Sequence, residues 1–394
     1  MRGYQIMKRN TALAGVVLGT VCATTYAQGS VTLYGLIDEG LQYQSNVNGG
    51  KRVFFDSLSG LAGSRWGLTG TEDLGGGFRA VFTLESGINL NNGQFGQGGT
   101  AFGRQAFVGL SSDQLGTITF GRQYDMIWYF PEPLTAAAVV GASPAAHPGD
   151  FDNAGNTVRF NNAVRYMSRN YSGLTFGLEY SLGGVAGDFT SKSGYSLGMG
   201  YTNGPLKIAA AFDYFKNPTS TPGTGFFTAF ANGASPLAFS LNKAYTTAQA
   251  YQSAVVGLNY AIGALTLATS YSNVQYANLG PTLSNGTAIF NNFDVGASYR
   301  FTPALSVGIG YNYLTSGGVT TAEGKAVGNQ HYHQVSVLGD YFLSKRTDLY
   351  LGAGWQRASG ISSTGQPAVA NIDNFGDSSN NQQYLIRAGI RHKF

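Results

Sequence analysis

The residues from Gln383 to Phe394 alternate with a period of two. One set reads Tyr384, Ile386, Ala388, Ile390, His392, Phe394; the other reads Leu385, Arg387, Gly389, Arg391, Lys393. Successive side chains of a strand point to opposite faces, so this strand has an apolar side with an aromatic at each end and a cationic side. The same alternation recurs along the chain. A closed barrel in lipid demands it: apolar outside, polar inside, aromatics at both interfaces.

Composition supports that reading. The chain has 394 residues, with 57 Gly, 24 Tyr and 25 Phe but only 11% charged residues. Soluble chains carry about 25%. No apolar run in the body of the chain approaches the roughly 20 residues of a membrane helix.

The N-terminus reads as a separate object. Arg2, Lys8 and Arg9 precede a short apolar stretch from Thr11 to Ala23, and Thr25-Tyr26-Ala27 offers a small-x-small cleavage site. This pattern predicts a signal peptide over 1–27 and a barrel over 28–394, with no further domain boundary. Cys22, the single cysteine, falls in the leader, so the mature chain uses no disulfide. Without Arg2, Lys8 and Arg9 the basic count falls from 24 to 21 against 20 acidic residues. The mature chain is therefore almost neutral, which gives no argument for nucleic-acid binding.

Alternation predicts sixteen strands in an all-β, antiparallel transmembrane barrel. The first is Val31 to Tyr43, with Leu33, Ile37 and Leu41 opposite Tyr34, Asp38 and Gln42. The third starts at Phe78 and turns Arg79, Thr83 and Glu85 inward. The sixth starts near Thr157, with Phe160, Val164 and Tyr166 outward and Arg159, Asn161 and Arg165 inward. Seven short turns are expected near Asp73–Gly77, Asp113–Gly116, Asn170–Gly173, Asn203–Pro205, Ile262–Gly263, Thr302–Pro303 and Ser344–Arg346. They alternate with eight long loops, as in membrane barrels with short periplasmic turns and long external loops. The first long loop is placed at Ser45 to Gly63. The third, Met126 to Asn156, carries Glu132, His147, Asp150 and Asp152 among Ala, Val and Pro residues. A loop that long and that apolar calls for packing, and a wide lumen is the place to pack it.

Several segments resemble the trimeric general porins of Gram-negative bacteria, especially their beta-proteobacterial branch. They are Ser30 to Gly35, Ser64-Arg65-Trp66-Gly67-Leu68-Thr69-Gly70-Thr71-Glu72-Asp73-Leu74-Gly75-Gly76-Gly77, Thr119 to Gln123, Leu343-Ser344-Lys345-Arg346-Thr347 and Gly389 to Phe394. The resemblance implies a homotrimer of sixteen-stranded barrels in the outer membrane, each narrowed by a third external loop folded into its lumen. It implies wall arginines at Arg65, Arg104 and Arg159, with Arg165 and Arg79 as further inward candidates by parity. The acidic partners on the loop would be Glu132, Asp150 and Asp152. The terminal strand, with Tyr384, Ile390 and Phe394, would be the signal read by the barrel assembly machinery, and periplasmic chaperones and lipopolysaccharide would be further partners. By parity Arg122 points outward, which implies either a subunit interface or a bend in its strand.

Enzyme chemistry lacks a site. Gly194-Tyr195-Ser196-Leu197-Gly198 has the G-x-S-x-G spelling but lies in a strand followed by a strand, whereas the motif needs a strand-turn-helix elbow. His331 and His333 share one strand face without a third ligand and read as a polar rim rather than a metal site. Tyr and Phe fall mainly on the outward face, which argues against a sugar track. No cofactor is implied. The expected function is a passive channel for small hydrophilic solutes and ions, with anion preference from a surplus of inward arginines. A channel devoted to one solute class such as organic anions, or a barrel with a surface-binding role, is the alternative.

Overall fold

The computed structural model describes residues 29–141, 143–216, 237 and 239–394; the expected leader lies outside the described residues. Its strands are β1 (Ser30–Val47), β2 (Gly50–Asp56), β3 (Arg65–Gly75), β4 (Phe78–Gly87), β5 (Gln105–Ser112), β6 (Gly116–Gln123), β7 (Phe160–Met167), β8 (Leu174–Ser181), β9 (Gly194–Asn203), β10 (Leu206–Lys216), β11 (Ala250–Ile262), β12 (Leu265–Ala277), β13 (Ala288–Thr302), β14 (Leu305–Ser316), β15 (Val319–Thr320), β16 (Ala326–Val327), β17 (Gln330–Phe342), β18 (Thr347–Gly360) and β19 (Gln382–Lys393). Every neighbouring pair is antiparallel, and β19 pairs back onto β1 from Leu36–Lys393 to Gln44–Leu385. Sixteen strands thus close a barrel, the last pairing with the first. At the seam Gly35 and Phe394 exchange backbone hydrogen bonds of 3.1 and 3.0 Å. The Phe394 ring occupies the space over Gly35, where a Cβ would come within 2.5 Å of it.

All seven short turns fall between the expected strands. The alternation holds as well: Leu33, Leu41, Ile386 and Ile390 are exposed on the outer wall, while Asp38, Gln42, Leu385 and Arg387 are buried on the inner one. Among the described residues no helix is long and apolar enough to cross a membrane.

Three local readings need correction. The first long loop is not irregular throughout, because β2 folds back along the upper half of β1, pairing Gly40–Asp56 to Gln44–Arg52. The alternation of Val53 and Phe55 with Arg52 and Phe54 already has a strand's period. In β7, Phe160 is buried inward and Asn161 exposed, the reverse of simple parity. A register shift between Gly121 and Gln123, with Asn162 at φ +50°, inserts a bulge that exchanges the faces. The same bend re-aims Arg122, whose Nε donates to the Gly103 carbonyl at 2.8 Å and whose Nη1 donates to Asn161. Finally, not all inner aromatics are absent: Phe215, Tyr251, Tyr276, Phe290 and Tyr332 form a buried cluster at the long-loop end, packed under Tyr245, Leu279 and Val327. Covered by loops, they offer no open stacking track.

Candidate functional site

Glu85 of β4 is the organising group of one inner wall. Its carboxylate accepts from Arg104 Nε at 2.8 Å, Tyr124 OH at 2.8 Å and Tyr34 OH at 2.9 Å, with Arg65 Nε at 3.8 Å. The guanidiniums of Arg104 and Arg159 lie 5.7 and 5.4 Å from the Tyr124 ring centroid, within cation–π range. Three arginines therefore gather around one carboxylate and one ring. Arginine suits such crowding, because it stays charged and its guanidinium is weakly hydrated.

Residues 124–141 and 143–159 contact strands from β9 to β18. Asp125 caps the helical turn Met126–Tyr129 by accepting from Trp128 N, and Met126 N donates to Ser196 Oγ of β9 at 2.8 Å. Thr135 caps the short helix Ala136–Val140, whose first amide donates to Asp294 of β13 at 2.9 Å. Tyr251 OH donates to the Phe151 carbonyl, and Gln334 Nε2 to the Ala146 carbonyl. The wall makes room with glycine. A Cβ on Gly198 would come within 2.6 Å of Phe130, on Gly296 within 2.8 Å of Ala136, and on Gly308 within 2.9 Å of Val140.

A cavity of about 1170 Å³ is bordered by Arg65, Arg104 and Arg159, and also by Glu132 and Asp150 of this segment. Burial, reinforced by Asp150, pushes Glu132 up to about 8. Burial and the neighbouring Asp152 push Asp150 up to about 6, although the Gly155 and Thr157 amides donate to it at 2.6 and 2.9 Å. Among the described residues no ion pair joins either acid to the arginines.

The remaining expected residues lie elsewhere. Asp152 is fully buried behind the cavity against His147, whose Nδ1 lies 2.7 Å from Asp152 Oδ2 and whose Nε2 lies 2.9 Å from Asp294 Oδ2. Two carboxylates on the two ring nitrogens require an imidazolium that donates to both. Burial alone would lower the His147 value; the carboxylates override it and hold it well above the usual imidazole range. Ser272 Oγ also donates to Asp152 at 2.6 Å, and Ser270 to Asp294. Arg165 is buried over the Tyr129 ring at 4.6 Å, outside the cavity lining. Arg79 pairs with Asp113 at the short-turn end of the barrel.

A family model described as Gram-negative porin matches residues 12–360. The chain belongs to the Gram-negative porin family. An outer membrane porin protein of Bordetella pertussis is 32% identical, covering 98% of this chain and 100% of the relative. Outer membrane porin protein 32 of Delftia acidovorans is 28% identical with the same coverage. Among solved structures, an anion-selective porin from Comamonas acidovorans superposes with a TM-score of 0.71 at 23% identity, covering 93% of this chain and 100% of that one. This porin is accordingly a transmembrane β-barrel of the outer membrane and a channel rather than an enzyme. Ser196, centre of the G-x-S-x-G spelling, lies within β9 and donates to Asp213 at 2.5 Å.

Sequence reasoning passed over Tyr34, Tyr124 and Asp294 as site residues. Asp294 alternates with outward Phe293 and Val295, so its inward face was legible; its depth was not. The His147 clasp makes a test. Replacing His147 with Ala leaves Asp152 and Asp294 buried without a cation, a defect of about 3–5 kcal/mol when a buried pair is broken. Amide exchange across 145–157 should accelerate and single-channel current should grow noisier; unchanged exchange would refute the clasp. Because the folded-state value of His147 is raised, the tether is complete below the ordinary value of about 6.5. It weakens only as pH climbs through the raised one.

Proposed function

We propose that this porin is a passive diffusion channel for small hydrophilic solutes and ions, with anion preference set where residues 124–159 narrow the lumen. The observation that carries the reading is the gathering of Arg65 and Arg104 on the Glu85 carboxylate and of Arg159 over the neighbouring Tyr124 ring, with all three arginines lining the cavity. Cationic side chains around a narrow, low-dielectric opening raise the local anion concentration. A solved relative that is an anion-selective porin supports the same sign. The reading extends to export with 1–27 removed, assembly as a homotrimer guided by the strand ending in Tyr384, Ile390 and Phe394, and insertion beside lipopolysaccharide. Barrel assembly machinery and periplasmic chaperones are the partners such a route needs.

Reversal potentials of the purified protein in a planar bilayer under a KCl gradient test it. Wild type should favour chloride. The double variant Arg65→Ser with Arg159→Ser keeps the Arg104–Glu85 pair but removes two positive charges, and should bring the chloride-to-potassium permeability ratio close to one. Potassium preference in the wild type would overturn the assignment.

A further inference from the structure

The cavity beside the arginines is not uniformly polar. It is also bordered by Leu58, Leu61, Phe95, Trp128 and Phe375. Leu58 and Leu61 lie between β2 and β3, Phe95 between β4 and β5, and Phe375 between β18 and β19. Three long loops therefore bring apolar groups to the arginines from the long-loop end, and Trp128 adds an indole from the segment between β6 and β7. Leu58 is 41% and Phe95 44% exposed, and Leu61, Trp128 and Phe375 are half-buried. The interior of a membrane barrel of this kind is polar, so apolar side chains left open to it mark a place where something apolar docks.

The apolar and cationic parts are contiguous. Arg65 Nη1 donates to the Gly63 carbonyl at 3.2 Å. A Cβ on Gly63 would stand 2.5 Å from the Leu58 carbonyl and 3.6 Å from Arg104 Nη1, so the first loop lies directly against two guanidiniums. Likewise Trp128 packs on the Tyr124 ring at 5.1 Å, and the Arg159 guanidinium lies 5.4 Å from that same ring. Arg65 and Arg104 already face Glu85. Arg159 has no carboxylate within ion-pair reach among the described residues, and its Nε has no hydrogen-bond partner there.

We propose that this entrance is a transit site for small aryl carboxylates, with the ring among Leu58, Phe95, Trp128 and Phe375 and the carboxylate toward Arg159 and Arg65. An apolar patch with a few convergent polar groups is the usual make-up of a small-molecule site. Charge selects a carboxylate over a neutral aryl compound, because a planar guanidinium matches a carboxylate. The patch selects an aryl over a short aliphatic acid, because a flat ring meets Trp and Phe edge-on or offset, whereas a short chain leaves them in water. The inference rests on the anion preference proposed above and adds to it a choice among anions. Because the site lies in the solute path, its occupancy is read as a loss of chloride current.

Chloride current through the purified protein in a planar bilayer is titrated with potassium benzoate, potassium propionate and benzyl alcohol. Benzoate should halve the current at a roughly tenfold lower concentration than propionate, and benzyl alcohol should not block in that range. Leu58→Ser with Phe95→Ser changes only exposed loop side chains. It should bring benzoate to within about twofold of propionate while the chloride-to-potassium permeability ratio stays at its wild-type value. Equal half-blocking concentrations of benzoate and propionate in wild type, with chloride preference intact, would overturn the aryl site and leave the anion preference standing. Potassium preference in wild type would instead remove the reading on which the site rests. Benzyl alcohol as potent as benzoate would overturn the proposal by showing a patch that takes aryl groups without the arginines. So would an unchanged benzoate-to-propionate ratio in a double variant that keeps the heat-modifiable mobility of a folded barrel.

Discussion

Replacing Arg387 with Met should destabilise the barrel by about 3–5 kcal/mol, the cost of breaking a buried ion pair from one side. Arg387 is fully buried on β19, beside the seam where the barrel closes. Its Nη2 lies 3.3 Å from Asp38 of β1, and its Nη1 lies 3.0 Å from Asp56 of β2. Its Nε donates to Tyr350 OH at 2.7 Å, and that hydroxyl donates to Asp38 at 2.5 Å. Asp38 in turn accepts from the Leu61 and Ala62 amides at 2.8 and 3.1 Å. One guanidinium therefore joins the last strand, the first, β18 and the loop before β3. Methionine fills similar volume but leaves two carboxylates together without a cation. Lysine should rescue little, because a single ammonium cannot reproduce the fork that reaches both carboxylates. The measurement is the urea midpoint of the folded-to-unfolded mobility shift. Asp38→Asn should cost less in the Arg387→Met background than in wild type, because the two residues share one network. An unchanged midpoint would show that Arg387 contributes nothing at the seam, and additive losses would show that Arg387 and Asp38 act independently rather than as one network.

This network illustrates what the sequence makes legible and what it hides. Arg387 and Asp38 were readable as inward, since each alternates with outward Leu, Ile or Tyr. Their partnership was not, because pairing depends on strand register, which alternation leaves free by whole two-residue steps. The bulge at Gly121 and Asn162 was hidden for a related reason: an inserted residue exchanges the faces without spoiling the look of either half. Arg65, Arg104, Arg159, Glu132 and Asp150, named from the motif and the acidic loop, line one cavity. Arg79 and Arg165 lie outside that cavity: Arg79 pairs with Asp113 near a short turn, and Arg165 lies over the Tyr129 ring. The seat of residues 124–159 was written in inward glycines such as Gly198, Gly296 and Gly308, which a search for polar and apolar alternation passes over because glycine belongs to neither class.

Acidification should strengthen anion preference in two steps. Arg65, Arg104 and Arg159 line the cavity together with Asp56, Glu132, Asp150 and Asp373, and Glu85 pairs with Arg104 beside it. Burial and Asp150 raise Glu132 to about 8, against a smaller opposing effect of His147, and burial and Asp152 raise Asp150 to about 6. A raised carboxylate is neutral below its value and anionic above it. At alkaline pH the carboxylates thus offset the guanidiniums, and charge selection is weak. As pH falls through about 8 and then about 6, first Glu132 and then Asp150 loses its charge, while the arginines keep theirs. Fixed potentials of several kT across a narrow opening make the expected change in the chloride-to-potassium ratio roughly threefold to tenfold. Reversal potentials taken at intervals from alkaline to mildly acidic pH would trace it. Glu132→Gln should erase the upper step and leave the lower, and Asp150→Asn should do the converse. His147 supplies no further step at acidic pH, because its raised value keeps it cationic there between Asp152 and Asp294. A flat profile would place both acids outside the conducting path. A profile of opposite sign, with potassium gaining as pH falls, would contradict the arginine-controlled opening itself.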